Sequence, residues 1–572
     1  MNKKESNYLE VMLFSMLFLF ALGVRFLFLG SEALLETEAV LAFRSWELAL
    51  GEILAPGESA LYESLTALMF SIFGSSNLLA RFLPAAAGSM IVWLPYLLRD
   101  RLGGPGALVT ALGLALDPGL VVASRQIGSP MLTAVLILFA VIFILRQQTF
   151  AGILLVLSAL FSGTNFWLGA IGLLLAAGIS SSAGLLSIRN VVDKQIDRLS
   201  NLDRAERVIY LSLPLLVAGA AVTQFFQTPS GLSSWLQGVP IFWEGWFSPA
   251  AAPATQLLIL LLVNAPLALG YGLLDIIQSW REGDEIGKIL SLWFGISILM
   301  SLIYPGRSAL DLVWSLIPLW IMAGRQISSW IHRTSGLWVN WVFGAFIFII
   351  AVLNWLSITG LLYRQVGPQT IWLQVGLSGA SVLLIVLTML IIASEWGWEV
   401  SKTGAHLGAS AVLLVYSLAA LNFGAYTYAG DPRSLWVSAK GAGEFSLLKD
   451  TLDEISLSET GRRDSIRGAV FGGGSSLKWE LRSYHNLQFY PSYQEDVLLP
   501  VIITDRENAS AALEDIYWGQ NFPQAAQKAW QGLLPDRFIS WLAFREGPVE
   551  WDQVILWVRE GALPWVISES AQ

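Results

Sequence analysis

The sequence predicts an α-helical polytopic membrane protein with a small α/β domain at its C-terminal end. Three observations lead there. Of the 572 residues, 55% are hydrophobic and only 13% charged, about half the charge of an ordinary soluble domain; the mean hydropathy is +0.60. About thirteen apolar runs approach the roughly 20 residues that a bilayer-spanning helix needs. From about Asp431 the composition turns to that of a water-soluble domain, with 13 basic and 20 acidic residues between 431 and 572.

In chain order, the candidate spans are 8–30, 79–99, 105–123, 130–146, 150–163, 165–180, 208–228, 256–278, 288–304, 311–323, 337–359, 371–395 and 407–428. The first run is too long for a signal-peptide core, contains Arg25 and lacks a small-residue cleavage site, so it reads as a retained helix. Lys and Arg concentrate in alternate loops, from Lys3 and Lys4 through Arg189–Arg207 to Lys402. The loops between them, before the C-terminal region, hold only Arg44, Arg125, Arg307 and Arg364. By the positive-inside rule the N-terminus is cytoplasmic. An odd number of spans then places the C-terminal region outside, in a multi-pass protein of the cytoplasmic membrane.

Two outer segments carry further structure. Residues 31–78 hold Glu32, Glu36, Glu38, Glu47, Glu52, Glu58 and Glu63 against the single basic residue Arg44. Within them ALYESLTALMFSIFG (60–74) is short for a span and would bury Glu63, so an interfacial helix fits better. Residues 229–255, with Trp235, Trp243 and Trp246, suit the headgroup layer. The expected division is a transmembrane part, 1–428, whose 31–78 loop carries interfacial helices, and a soluble part, 429–572. In the latter, periodicity predicts a helix at 441–455 and strands near 465–471, 486–490 and 498–504. It also predicts helical segments near 507–516, 523–532 and 549–560.

The absence of cysteine rules out disulfides, thiolate metal sites and cysteine nucleophiles. Three scattered histidines, His332, His406 and His485, do not suggest an imidazole-rich centre. A net charge of −9 offers nucleic acid no general attraction.

What remains is a constellation at the outer membrane face. Glu36-Thr37-Glu38 follows the first helix closely, and a partly buried carboxylate there can take a proton from an acceptor. Outer loops are also acid-rich simply because basic residues are excluded from them. Arg25, Arg81, Arg125 and Arg307 lie at apolar boundaries, where a guanidinium needs an anion, a partner glutamate or a path to water. A lipid phosphate is one such anion. Asp117 before Pro118 reads as a helix-end cap. Gly472-Gly473-Gly474 reads as a turn, because no Gly-Lys-Ser/Thr follows. Asn508-Ala509-Ser510 fits a glycosylation sequon.

The order of these segments resembles the polytopic glycosyltransferases of the GT-C fold, including the protein O-mannosyltransferase-like and aminoarabinose-transferase-like enzymes. RFLFLG…LLETEAVLAF (25–43) is similar to their first-loop acidic motif. LTALMFSIFGSSNLLARFLPAAAGSMIVWLPYLL (65–98) resembles their interfacial helix and A-R-x-P helix, and ALDPGLVVASRQIGSPML (115–132) their S-R turn. YPGRSALDLVWSLIPLW (304–320) resembles a late segment. In the C-terminal part, LKWELRSYHNLQFY…LLPVIITD…YWGQNF (477–522) is similar to the outer domain of GT-C-like proteins labelled flippase-activity-associated.

The resemblance implies inverting sugar transfer from a polyprenyl-phosphate donor. By position Glu38 matches the motif glutamate, and Glu36 or Thr37 takes the place of the preceding catalytic aspartate. Arg125 matches the S-R arginine. Gly128-Ser129-Pro130 stands where an aspartate is common, and Leu61-Tyr62-Glu63-Ser64 where a His/Lys-Pro-Pro motif is common. The expected roles are Glu38, helped by Glu36, as general base, with Arg125, Arg307, Arg25 and Glu63 binding substrate. No residues are assigned as metal ligands, and a divalent cation is the one candidate cofactor. The expected partners are the lipid-linked donor, the bilayer and a protein docked on the C-terminal domain. The alternative is a non-catalytic GT-C-like protein that assists lipid-linked glycan handling or assembles with a partner.

Overall fold

The computed structural model describes residues 3–52, 57–227, 229–250, 252–333, 338–364, 368–437, 440–441, 443–492, 499–506, 508, 513 and 517–559. The first helix, α1 (Lys3–Phe26), has 24 residues, about 36 Å at 1.5 Å per residue. Among the described residues, seven helices are long and apolar enough to cross a membrane: Tyr8–Phe26, Asn165–Ser182, Arg204–Val222, Glu285–Ile303, Trp338–Gly360, Trp372–Trp396 and Trp398–Thr427. The number rises to nine if each of two bent pairs forms one span, and shorter apolar helices stand at Ala60–Phe73, Phe82–Leu97, Met131–Leu145 and Thr149–Leu160.

Length and breakage set the other expected runs apart from these seven helices. Met131–Leu145 and Thr149–Leu160 have 15 and 12 residues, about 18–23 Å, well short of the roughly 30 Å hydrocarbon core. The run at 256–278 is two helices, Ala254–Asn264 and Pro266–Glu282, bent by 95°. Pro266 has no N–H for the ladder and drives Ala265 out of helical geometry (φ −125°, ψ 42°).

The helix Val313–Arg333 lies at the centre of the largest apolar cluster. Its Trp314, Ile317, Trp320 and Met322 pack among Val121, Leu138 and Leu260. At the periphery the pattern inverts: on Pro368–Trp396 the residues Leu373, Val375, Leu377, Leu383 and Ile391 face outward. An apolar exterior of this extent is stable against lipid and not against water.

A break at Asp117–Pro118 shapes the end of the bundle that carries the site. Gly104–Leu116 gives way to Pro118–Ser124 with a bend of 58°. Pro118 cannot donate to the Leu114 carbonyl, which the break leaves without its helical partner. Asp117 caps the second piece by accepting the Leu120 N–H at 2.9 Å, and its other oxygen accepts from Trp320 Nε1 at 2.7 Å. Gly113 allows this reach, because any side chain there would overlap the Trp320 ring.

The C-terminal part is a five-stranded sheet in the order β2-β1-β3-β5-β4. Strands β1 (Gly468–Phe471), β2 (Leu487–Tyr490) and β3 (Val501–Asp505) are parallel, and β4 (Tyr517–Lys528) and β5 (Val549–Arg559) add an antiparallel pair. The helix Ser446–Thr460 covers one face through Leu448, Leu452 and Ile455. The first three strands lie where the sequence predicts them. Segments 523–532 and 549–560 are corrected: they lie largely in β4 and β5, not in helices. Eleven residues of β5 pair along β4, and Trp551, Val554, Ile555, Trp557 and Val558 are residues that favour a pleated surface. The expected helix at 507–516 falls mostly outside the described residues.

Two further helices complete the site region: α2 (Glu36–Ala49) and α3 (Ala60–Phe73). The sheet domain rests on the loop that contains them. Trp479 is fully buried among Leu34, Ala42, Tyr62 and Phe70 and donates to Asn77 Oδ1 at 2.7 Å. Arg482 stacks on Trp479 and donates to Ser75. The 31–78 loop and the sheet domain therefore share one face of the bundle.

Candidate active site at the membrane face

Among the expected site residues, Glu38 and Arg125 line one small pocket together with Arg81, whereas Glu36 and Glu63 line two others. Glu38, in the first turn of α2, is 1% exposed. Its oxygens accept Arg81 Nε at 3.1 Å and Nη2 at 2.6 Å, the Leu35 N–H at 3.0 Å and the Ile127 N–H at 2.9 Å. The Leu35 contact is the backward half of a capping box. The void that Glu38 lines measures about 20 Å³, room for one water. Glu38 thus ties α2 to Arg81 and to the turn after Ser124. Glu36 accepts the backbone N–H groups of Ser475 and, at 3.0 Å, Ser476, pinning the sheet domain.

The arginines expected to hold a lipid phosphate are bound to carbonyls. Arg25 is fully buried and donates to Leu114 O at 3.0 Å and Ala115 O at 3.1 Å, the acceptors freed by the break at Pro118. Arg125 donates to the carbonyls of Arg25, Leu27 and Phe28 at the end of α1 and lies 4.8 Å from the Tyr426 ring. Arg307 donates to Leu302 O, Tyr304 O and Ala252 O, closing the end of Glu285–Ile303. Cations at helix C-termini satisfy carbonyls that have no partner of their own. Each of the three guanidiniums is thus engaged by backbone carbonyls in this structure.

Glu63 borders a larger cavity. It stands in the first turn of α3, is 3% exposed, and lies 3.4 Å from Arg44 Nε on α2. Gly57 makes its position possible, since a Cβ there would overlap the carboxylate. Burial pushes the Glu63 carboxyl above its ordinary value, and the Arg44 guanidinium opposes that shift. Both residues line a cavity of about 610 Å³ together with Thr37, Glu58, Gln126 and Asn165, a size suited to a small polar ligand. Thr37, the middle residue of the acidic motif, faces this cavity while its two glutamates do not line it.

Arg44 and Glu58 had no assigned role in the sequence, although Arg44 is the lone basic residue among seven glutamates there. On the other side of α3, Leu65, Leu68, Val217 and Ala221 line an apolar groove of about 540 Å³. Among the described residues no three His, Asp or Glu side chains gather in a way that could hold a metal ion.

Two solved structures show the same fold. The apo structure of ArnT from Cupriavidus metallidurans aligns over 97% of this chain and 98% of its own, at 14% identity and a TM-score of 0.55. ArnT from the same organism bound to undecaprenyl phosphate aligns over 96% and 98%, at 14% identity and a TM-score of 0.53. No family model and no curated protein matches the sequence. The chain has the GT-C membrane fold that the sequence motifs resemble.

Proposed function

We propose that this protein is a membrane glycosyltransferase. It moves a sugar from a polyprenyl-phosphate donor to an acceptor on the face of the membrane that carries the sheet domain. The observation that carries this reading is the 610 Å³ cavity in which buried Glu63 and Arg44 lie 3.4 Å apart. The nearby apolar groove is shaped for an isoprenoid tail, and a fold relative has been seen with undecaprenyl phosphate bound. The distribution of Lys and Arg supports a cytoplasmic N-terminus. In this reading the sheet domain lies outside the cytoplasmic membrane.

In this reading an acceptor hydroxyl attacks the anomeric carbon of the donor and loses its proton to Glu63. The bond from that carbon to the phosphate oxygen breaks, and the lipid phosphate departs with the electron pair. Attack opposite the leaving group inverts the anomeric centre. Arg44 balances the charge that develops on the phosphate, and a preformed cation in a shielded site is an effective way to do so. Thr37, Gln126 and Asn165 supply hydrogen bonds to sugar hydroxyls.

The test uses the purified full-length protein with lipid-linked sugars extracted from its native membrane. Glu63→Gln keeps the shape of the side chain and removes the proton acceptor. Turnover should drop by about a hundredfold or more while donor binding survives. Arg44→Ala should weaken donor retention by about 1.5–3 kcal/mol. Unchanged transfer by Glu63→Gln would end the assignment.

A second reading has one observation in its favour: both glutamates of the acidic motif are engaged in structural contacts. It is a GT-C-like protein that handles lipid-linked glycans without transferring them. Donor binding that depends on Arg44, with no transfer by the native protein, would select it.

A further inference from the structure

The sheet domain holds a second cavity, and its position follows a topological rule. In open sheets with parallel strands, ligands settle beyond the carboxyl ends where neighbouring strands send their connections in opposite directions. Here β1 continues through the helix Gly474–Glu480 to β2 on one side, while β3 leads on to β4 and β5 on the other. The crevice between β1 and β3 is the switch point. A cavity of about 560 Å³ lies there, lined by Gly473 and Gly474 after β1 and by Asp505 and Arg506 at the end of β3.

The antiparallel pair extends the wall. Asp505 pairs with Val554, so Trp551, Asp552 and Gln553 overhang the carboxyl end of β3 and line the cavity. A bulge between Pro523 and Ala525 leaves Gln524 outside the register opposite them, and bulges re-aim side chains. Gln524 donates to Gly473 O across the crevice.

We propose that this crevice is a saccharide-binding site, separate from the α2–α3 cavity, that takes an uncharged, hydroxyl-rich glycan. The lining provides carboxylates, amides and one indole, the groups that bind sugar hydroxyls and pack on their apolar faces. An anion fits poorly. Glu36, Asp505 and Asp552 face the cavity against Lys440 and Arg506. Lys440 is paired with Asp552 at 2.5 Å, and Glu36 already takes the N–H groups of Ser475 and Ser476. Glu36 and Thr37, consecutive in α2, line the two cavities, so a glycan in the crevice extends toward the membrane site. Binding here does not depend on whether the chain transfers sugar.

Saturation-transfer NMR on the full-length protein in detergent tests this, with maltohexaose, cellohexaose and mannohexaose as probes and inorganic phosphate as the anionic control. At least one neutral hexamer should bind saturably, and phosphate should not displace it. Trp551→Ala and Asp552→Asn should each weaken binding about tenfold or more, while Glu63→Gln leaves it unchanged. Thermal unfolding of each variant separates lost binding from lost folding. Three results would overturn the proposal: no hexamer binds, phosphate displaces the bound hexamer, or neither substitution weakens binding in a folded variant.

Discussion

Two charged pairs lie on either side of α2, and they are used in opposite ways. Glu38 and Arg81 meet in a pocket of only about 20 Å³, where backbone N–H groups and carbonyls complete their hydrogen bonding. Glu63 and Arg44 meet at the wall of a 610 Å³ cavity. The first pair carries the family-like motif glutamate, and the second carries none of the residues matched by that motif. A buried charge whose partners are all supplied by its own chain holds structure together, whereas one that borders open volume is available for chemistry. Arg25, Arg125 and Arg307 belong with the first kind, each donating to carbonyls at the end of a helix.

The sharpest way to break this contrast is at Arg81. Arg81→Ala leaves Glu38 buried without its ion-pair partner, which costs about 3–5 kcal/mol. Thermal unfolding in detergent should register it as a gross loss of stability. A stable Arg81→Ala protein with reduced turnover would instead return Glu38 to the chemistry.

Next in size is the exchange of effects between the two glutamates. Glu63→Gln should lower turnover about a hundredfold with little change in unfolding temperature, and Glu38→Gln should do the reverse. If both variants lost only turnover, the distinction would collapse.

A pH series sharpens it further. The Glu63 carboxyl is raised above its ordinary 4.5 by burial. Below 4.5 the proton is on in both the folded and unfolded states, and the associated stability is fully present. As pH rises through the folded value, the unfolded state has already released its proton, and that stability is lost. Turnover, which needs the ionised base, should climb over the same interval. Native protein should therefore gain activity and lose stability together relative to Glu63→Gln, and parallel curves for the two proteins would contradict the assignment.

The smallest effect belongs to Glu36. Removing a carboxylate that serves two N–H groups at a helix start costs about 0.5–2 kcal/mol. Hydrogen exchange in Gly474–Glu480 should report faster opening in Glu36→Ala, with the transmembrane helices unaffected.

Much of this architecture is legible in the residues themselves. Apolar runs mark the helices because a lipid environment forces local satisfaction of the backbone, so the signal needs no knowledge of distant contacts. The three parallel strands are short runs bounded by turn residues, and they are legible for the same local reason. Segments 523–532 and 549–560 read as helical in the sequence, yet β4 and β5 are held by pairing with each other and, through β5, with β3. Partners brought together from elsewhere in the chain leave no local mark.

The sequence alone thus determined the membrane class and the fold. It also put Glu63 and the acidic motif near one membrane face. The tertiary structure decided which charge is spent and which is available. Whether an arginine meets a phosphate or a carbonyl depends on where another helix ends, as at Pro118, some ninety residues from Arg25. That distance in sequence is closed only by folding, and burial, which sets the cost of every charge, exists only once it has closed.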